Sequence, residues 1–153
     1  MQNRFEYHDG NNPGIQAMRK LEGHLHHCGL ESSLLELVKM RASQINGCAY
    51  CLDMHSKDAR AAGESEQRLY ALDAWREAPF YSERERAALD WTEAVTRVAD
   101  THVPNAVYEH VRQHFDEQEL VNLTLAIVAI NGWNRLAISS RAVAGSYQVD
   151  KND

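Results

Sequence analysis

Asn46-Gly47-Cys48-Ala49-Tyr50-Cys51-Leu52-Asp53-Met54-His55 is the stretch from which the rest of this chain is read. Asn-Gly ends one element and turns the chain. On a helix each residue advances about 100°, so Cys48, Cys51 and His55 fall within roughly 60° of one another on a single face. Leu52, Ala59 and Ala62 share that face, while Asp53, Lys57 and Arg60 point away. Two thiols and an imidazole therefore meet at the edge of an apolar surface.

That spacing admits more than one chemistry. A dithiol needs one thiol of lowered pKa and a second that closes a disulfide, and Cys48, in the first helical turn, lies where unpaired N–H groups favour a thiolate. A zinc site needs four ligands and the run supplies three. Covalent haem attachment needs His directly after the second Cys, where Leu52 stands, so haem is excluded. Two cysteines simply buried as small apolar residues remain the bland alternative.

Further residues fit a pattern. Glu36, Cys48, Cys51 and His55 reproduce E-x11-C-x-x-C-x-x-x-H, a signature that resembles alkylhydroperoxidase D (AhpD)-like proteins of the carboxymuconolactone decarboxylase superfamily. The segment Leu37 to Cys48 is similar to that family's core almost residue by residue. Ile130-Asn131-Gly132-Trp133-Asn134-Arg135-Leu136-Ala137 is similar to a C-terminal stretch of peroxidase-related members. Some members carry His before the second cysteine, where this chain has Tyr50. The resemblance implies an all-α fold in which an antiparallel helix pair carries the C-x-x-C. It implies that Cys51 attacks a hydroperoxide, that Cys48 resolves the sulfenic acid, and that His55, oriented by Glu36, moves the proton. It also implies a hydroperoxide substrate, a separate thiol/disulfide electron donor, and a homo-oligomer, whether dimer, trimer or hexamer. No cofactor and no metal are expected.

The chain has 153 residues, enough for one domain (1–153) with a sizeable core. Acids outnumber Lys and Arg 22 to 16, for a formal charge of −6; nucleic acid and anionic membrane surfaces are thus poor partners. No secretory signal or membrane span is read, and the cysteines suit a reducing cytoplasm.

Residues 1–12 read as an extended polar arm before a helix opened near Pro13 and ending near Gly29. His24, His26, His27 and Cys28 at its end form a second candidate metal cluster, or a polar helix terminus. Ser33 with Glu36 fits a capping box for the next helix. Leu34, Leu35, Leu37, Val38, Arg41, Ala42 and Ile45 form its inner face, and Glu36 falls nearly opposite, beside Lys39 and Ser43. Read locally, Glu36 is a cap partner or a solvated acid. If Asn46-Gly47 reverses the chain, however, Glu36 lies 11 residues before Gly47 and His55 lies 8 after it. At about 1.5 Å per residue the two are nearly level.

The cysteine helix should stop at Gly63. A short helix holding Leu69, Tyr70, Leu72 and Trp75 follows, then one from Ser82-Glu83-Arg84-Glu85 to about Asp100 with Leu89, Val95 and Val98 inward. Pro104 opens another, and Asp116-Glu117-Gln118-Glu119 caps the most apolar segment, Leu120 to Ile130, which is apolar nearly all round and suits a buried or subunit contact. Asn131-Gly132 is expected to bend or break it, with a last helix from Trp133 to about Ala144. Seven or eight helices result, and no strand.

The leading expectation is a thiol-dependent peroxidase acting in antioxidant defence. Its rivals are a carboxymuconolactone decarboxylase-type enzyme, which has no use for a cysteine pair, and a zinc-binding or redox-sensing oligomer without turnover. Cα atoms three apart on a helix are about 5 Å away, so oxidation is expected to join Cys48 to Cys51 and leave Cys28 free.

Overall fold

In the computed structural model, which describes residues 2–8 and 10–149, the helical spacing resolves into eight α-helices and one 3-10 turn. They are α1 (Pro13–Leu25), α2 (Ser32–Asn46), α3 (Ala49–Ala61), α4 (Glu66–Ala71) running into the 3-10 turn Leu72–Ala74, α5 (Glu83–Thr96), α6 (Val98–Thr101), α7 (Asn105–Arg112) and α8 (Glu117–Ser140). No strand occurs among the described residues. Met1, Asp9 and residues 150–153, which include parts of the expected arm and domain, lie outside them.

α2 is the central element and packs on α3, α5 and α8. Leu34, Leu35 and Val38 meet Ala87, Ala88, Leu123 and Ile127 in one apolar cluster. Leu37 and Met40 meet Ala59, Leu72, Trp75 and Leu89 in a second. Each such fully buried aliphatic chain contributes about 1.5–3 kcal/mol by transfer from water. Hence two faces of α2 are fixed before any polar contact is counted.

Two of the three expected capping boxes form: Ser82 with Glu85 on α5, and Asp116 with Glu119 on α8. Asn12 caps α1, with Pro13 as its first residue. The Ser33–Glu36 box does not form. Glu31 is the N-cap of α2 without a side-chain cap bond, because the Glu36 carboxylate is engaged across the helix pair. α1 ends at Leu25 rather than near Gly29, so His24, His27 and Cys28 do not share a helical face. His24 bonds Asn122 instead.

Asn131-Gly132 does not break the helix; α8 continues through it to Ser140. Asn131 Nδ2 donates back to the Ile127 carbonyl, one turn earlier, and to Thr96 on α5. Gly132 lets α1 approach, since a Cβ there would stand 2.8 Å from Met18 Cε. α5 stops at Thr96, short of Asp100, and Val98, expected inward, is exposed on the four-residue α6. By length and composition alone α8 could cross a membrane. Its position among α1, α2 and α5, with Asn122, Asn134 and Ser140 buried, is that of a core helix.

Candidate active site

The turn between α2 and α3 sets the site. Gly47 caps α2 with φ 70°, the left-handed region that a residue with a Cβ enters at a cost, and its N–H and that of Cys48 return to the Gln44 and Ser43 carbonyls. Asn46, just before it, donates to Asn131 and Asn134 on α8, and Asn134 donates to Ser43. The Ile130–Ala137 block is therefore the clamp that holds the turn.

Cys48 is the N-cap of α3, half outside the helix, and its Sγ accepts the Cys51 N–H at 3.3 Å. A disulfide joins Cys48 to Cys51 across a Cα–Cα distance of 5.3 Å, and Cys28 is free. Both bridged residues are buried, in a small cluster with Tyr7 and Ala137. His55 lies one helical turn beyond Cys51 on α3.

His55 Nδ1 lies 2.9 Å from Glu36 Oε2. The near-level placement read from the Asn-Gly reversal is what the helix pair delivers, and the local reading of Glu36 as a cap or solvated acid is overturned. Burial pushes the Glu36 carboxyl up, but the hydrogen bond and charge of His55 and the Lys39 ammonium outweigh it and hold the group below its ordinary 4.5. An ionised carboxylate carries no proton, so Nδ1–H is the donor. In the neutral ring Nε2 is then the basic nitrogen, on the side chain that shares a cavity with Cys51.

That cavity, about 290 Å³, has mostly apolar walls. Cys51, Met54 and Ile130 meet there with Tyr7, Tyr50 and Trp133, and Lys39 and Asp58 add charge. Tyr50, in the place of a family histidine, is thus an aromatic wall. Its ring lies 5.9 Å from that of His8. The arm is part of the site rather than a solvated extension: Tyr7 is buried, and Arg4 N–H donates to the Ser140 carbonyl. Burial first, then the neighbouring Tyr50 and Glu6, push the Tyr7 phenol up to about 12, so it stays protonated. Cys48 lines a separate depression with Ile138 and Arg141, so the disulfide lies between two openings.

A ring nitrogen of His55 and oxygens of Glu36 and Asp58 lie within 4.8 Å of one another, a possible cation cage. Each is already bonded: Glu36 to His55 and Lys39, and Asp58 to the Tyr147 hydroxyl. The nearby ammonium opposes a second cation, and the set suits proton transfer better. Sequence reading did not single out Tyr7, Glu22, Lys39, Asp58 or Trp133. Lys39 is buried and Glu22 only partly so, and no local spacing in the sequence marks either.

Comparison with known proteins follows from this geometry. The model of the Carboxymuconolactone decarboxylase family matches residues 15–94. The uncharacterized protein YdfG of Bacillus subtilis is 43% identical over 139 residues, 91% of this chain and 95% of that one. A crystal structure from Agrobacterium tumefaciens, of a protein of unknown function described as a candidate antioxidant defence protein AhpD, is 42% identical with TM-score 0.90. The match covers 95% of this chain and 100% of that chain. The debrominase Bmp8 shares the fold at TM-score 0.80 and 21% identity, over 90% of this chain and 74% of its own.

Proposed function

Because the chain belongs to the Carboxymuconolactone decarboxylase family and keeps a bridged C-x-x-C, we propose that it is a thiol-dependent peroxidase. The observation that carries this reading is that Cys51 and His55 line one cavity while Glu36 fixes the His55 tautomer. In the reduced protein, His55 Nε2 takes the Cys51 thiol proton. The thiolate attacks the hydroperoxide, an S–O bond forms and the O–O bond breaks. The proton passes to the departing alkoxide, giving an alcohol and a Cys51 sulfenic acid. The Cys48 thiol then displaces water from that sulfenic acid, and the disulfide results. A dithiol donor returns two electrons and two protons, which suits a reducing cytoplasm.

The decarboxylase reading would leave both cysteines without a use, and a zinc module would need Cys48 and Cys51 as free thiolates, where here they are bridged. The test is mass spectrometry and stopped-flow fluorescence of reduced protein mixed with cumene hydroperoxide. The expected outcome is oxidation far faster than that of free cysteine, ending in the Cys48–Cys51 disulfide. Cys48→Ser should accumulate the Cys51 sulfenic acid and Cys51→Ser should be inert. Oxidation no faster than free cysteine would overturn the reading.

A further inference from the structure

Lys39 is one of the most buried charges in the molecule, 5% exposed, and it stands on the wall of the cavity that holds Cys51. Its Nζ lies 3.3 Å from Glu22 Oε2 and 3.4 Å from Glu36 Oε1. Each carboxylate spends its other oxygen elsewhere. Glu22 Oε1 accepts from the Trp133 indole at 3.1 Å, and Glu36 Oε2 meets His55 at 2.9 Å. The result is a continuous chain Trp133–Glu22–Lys39–Glu36–His55 that passes from α8 through α1 and α2 to α3. Burying an ammonium is costly unless it is fully paired. A simple tie between α1 and α2 could sit in the rim with less desolvation.

We propose that Lys39 is a positioning residue for the thiol oxidation, holding Glu36 ionised and turned toward His55, with Glu22 and Trp133 as its anchor. This rests on the peroxidase reading. A carboxylate with one oxygen fixed on an ammonium presents the other in one direction, so the imidazole plane is set without an entropic cost during the reaction. The charges work the same way. With His55 neutral, the three groups Glu22, Lys39 and Glu36 sum to one negative charge, and the imidazolium formed when Cys51 gives up its proton neutralises it.

Other titratable groups face this cluster. Asp58 from α3, Arg19 and His26 at α1 and its cap, and His8 from the arm line the same cavity. On its other side Glu36 borders a cleft with Glu64, Arg68 and Glu85, which are paired among themselves. These neighbours are unchanged by a substitution at position 39. What changes in Lys39→Gln is the charge that supports Glu36: burial still pushes its carboxyl up, and the Lys39 ammonium that opposes burial is gone.

The experiment is the rate constant for Cys51 oxidation by cumene hydroperoxide, measured on reduced protein from acid to neutral pH. Lys39→Gln, which keeps a donor and loses the charge, should slow the neutral reaction about 10-fold or more and move the acid limb up by about one pH unit. Lys39→Arg should keep the limb in place. Glu22→Gln leaves the ammonium on Glu36 alone; it should slow the reaction without raising the limb, and it gives an independent readout should the position-39 variants fold poorly. A reactive wild type whose profile is unmoved in Lys39→Gln, or a limb raised in Glu22→Gln, overturns this inference alone. A wild type no faster than free cysteine overturns the peroxidase reading beneath it.

Discussion

At the scale of single residues, Glu36 shows what a sequence carries and what it conceals. Its helical position, opposite Leu37 and Val38, is that of a solvated acid, and periodicity along one element cannot see a second helix covering it. The count across the Asn46-Gly47 reversal could, because chain length converts directly into axial distance. Cys48, Cys51 and His55 were legible for the same reason: they lie within one local spacing. Lys39, Glu22 and Tyr7 come from three separate segments, and only tertiary packing brings them together. Two predictions belong here. Glu36→Gln and His55→Ala should each slow Cys51 oxidation by about 10-fold to 1000-fold, and the double variant should be little slower than the worse single one, since the pair acts as a unit. Stopped-flow rates of all four proteins check this, and strictly multiplicative losses would contradict it. The second concerns stability. Glu36 is held below its ordinary 4.5 when folded, so its contribution is complete above that value and drains as pH falls through the lower folded value. The stability gap between wild type and Glu36→Gln, read from urea midpoints, should therefore be largest at neutral pH and shrink as pH falls below 4.5.

At the scale of elements, two of the three expected capping boxes form, and of the two Asn-Gly steps only Asn46-Gly47 ends a helix. Ser82–Glu85 and Asp116–Glu119 bond within one helical turn, so sequence suffices to place them. Asn131-Gly132 reads as a break by the same local grammar, yet α8 runs through it, because Asn131 has partners on α2 and α5 and Met18 fills the space beside Gly132. Tertiary contact overrode propensity there. The seam between α2 and α5 makes the same point with charge. Arg41 sits on the inner face of α2 and donates to Glu93 Oε1 at 2.8 Å; Trp75 and Arg76 donate to the same carboxylate. Arg41 is 6% exposed and Glu93 9%, so removing Glu93 leaves the Arg41 Nε–H and the Trp75 indole N–H without their acceptor, although Asp73 and Gln44 still hold the guanidinium Nη1. Glu93→Ala should destabilise the fold by about 3–5 kcal/mol, against a small effect for an exposed pair such as Arg60–Glu66. Urea denaturation of both variants decides it, and equal midpoints would show that Asp73, Gln44 and water satisfy the donors that Glu93 leaves behind.

At the scale of the whole molecule, α8 still has a face that the chain does not cover. Val121 and Val128 are 50% and 53% exposed, and the partly buried Leu125 lies between them at helical spacing. The opposite side of the same helix packs against α1, α2 and α5. The sequence reading of Leu120 to Ile130 as apolar nearly all round thus resolves into two faces, one buried within the chain and one open. An apolar strip on the longest helix, flanked by the exposed Glu117 and Arg135, has the composition of an interface core with a polar rim. A second copy of the chain is the partner that we expect there, since the strip can pair with itself about a two-fold axis. Static light scattering at micromolar concentration should then give an integral multiple, two or more, of the 17.4 kDa chain mass. Val128→Asp would place a charge at the centre of the contact, where it has no partner, at a cost of several kcal/mol. It should lower the mass toward the monomer while leaving the helical content intact, because the side chain is half exposed and outside the buried core of the protomer. A wild type that scatters as a monomer would leave the strip a surface feature. A Val128→Asp variant that keeps the wild-type multiple would move the interface elsewhere, with the outer face of α3 the next to test.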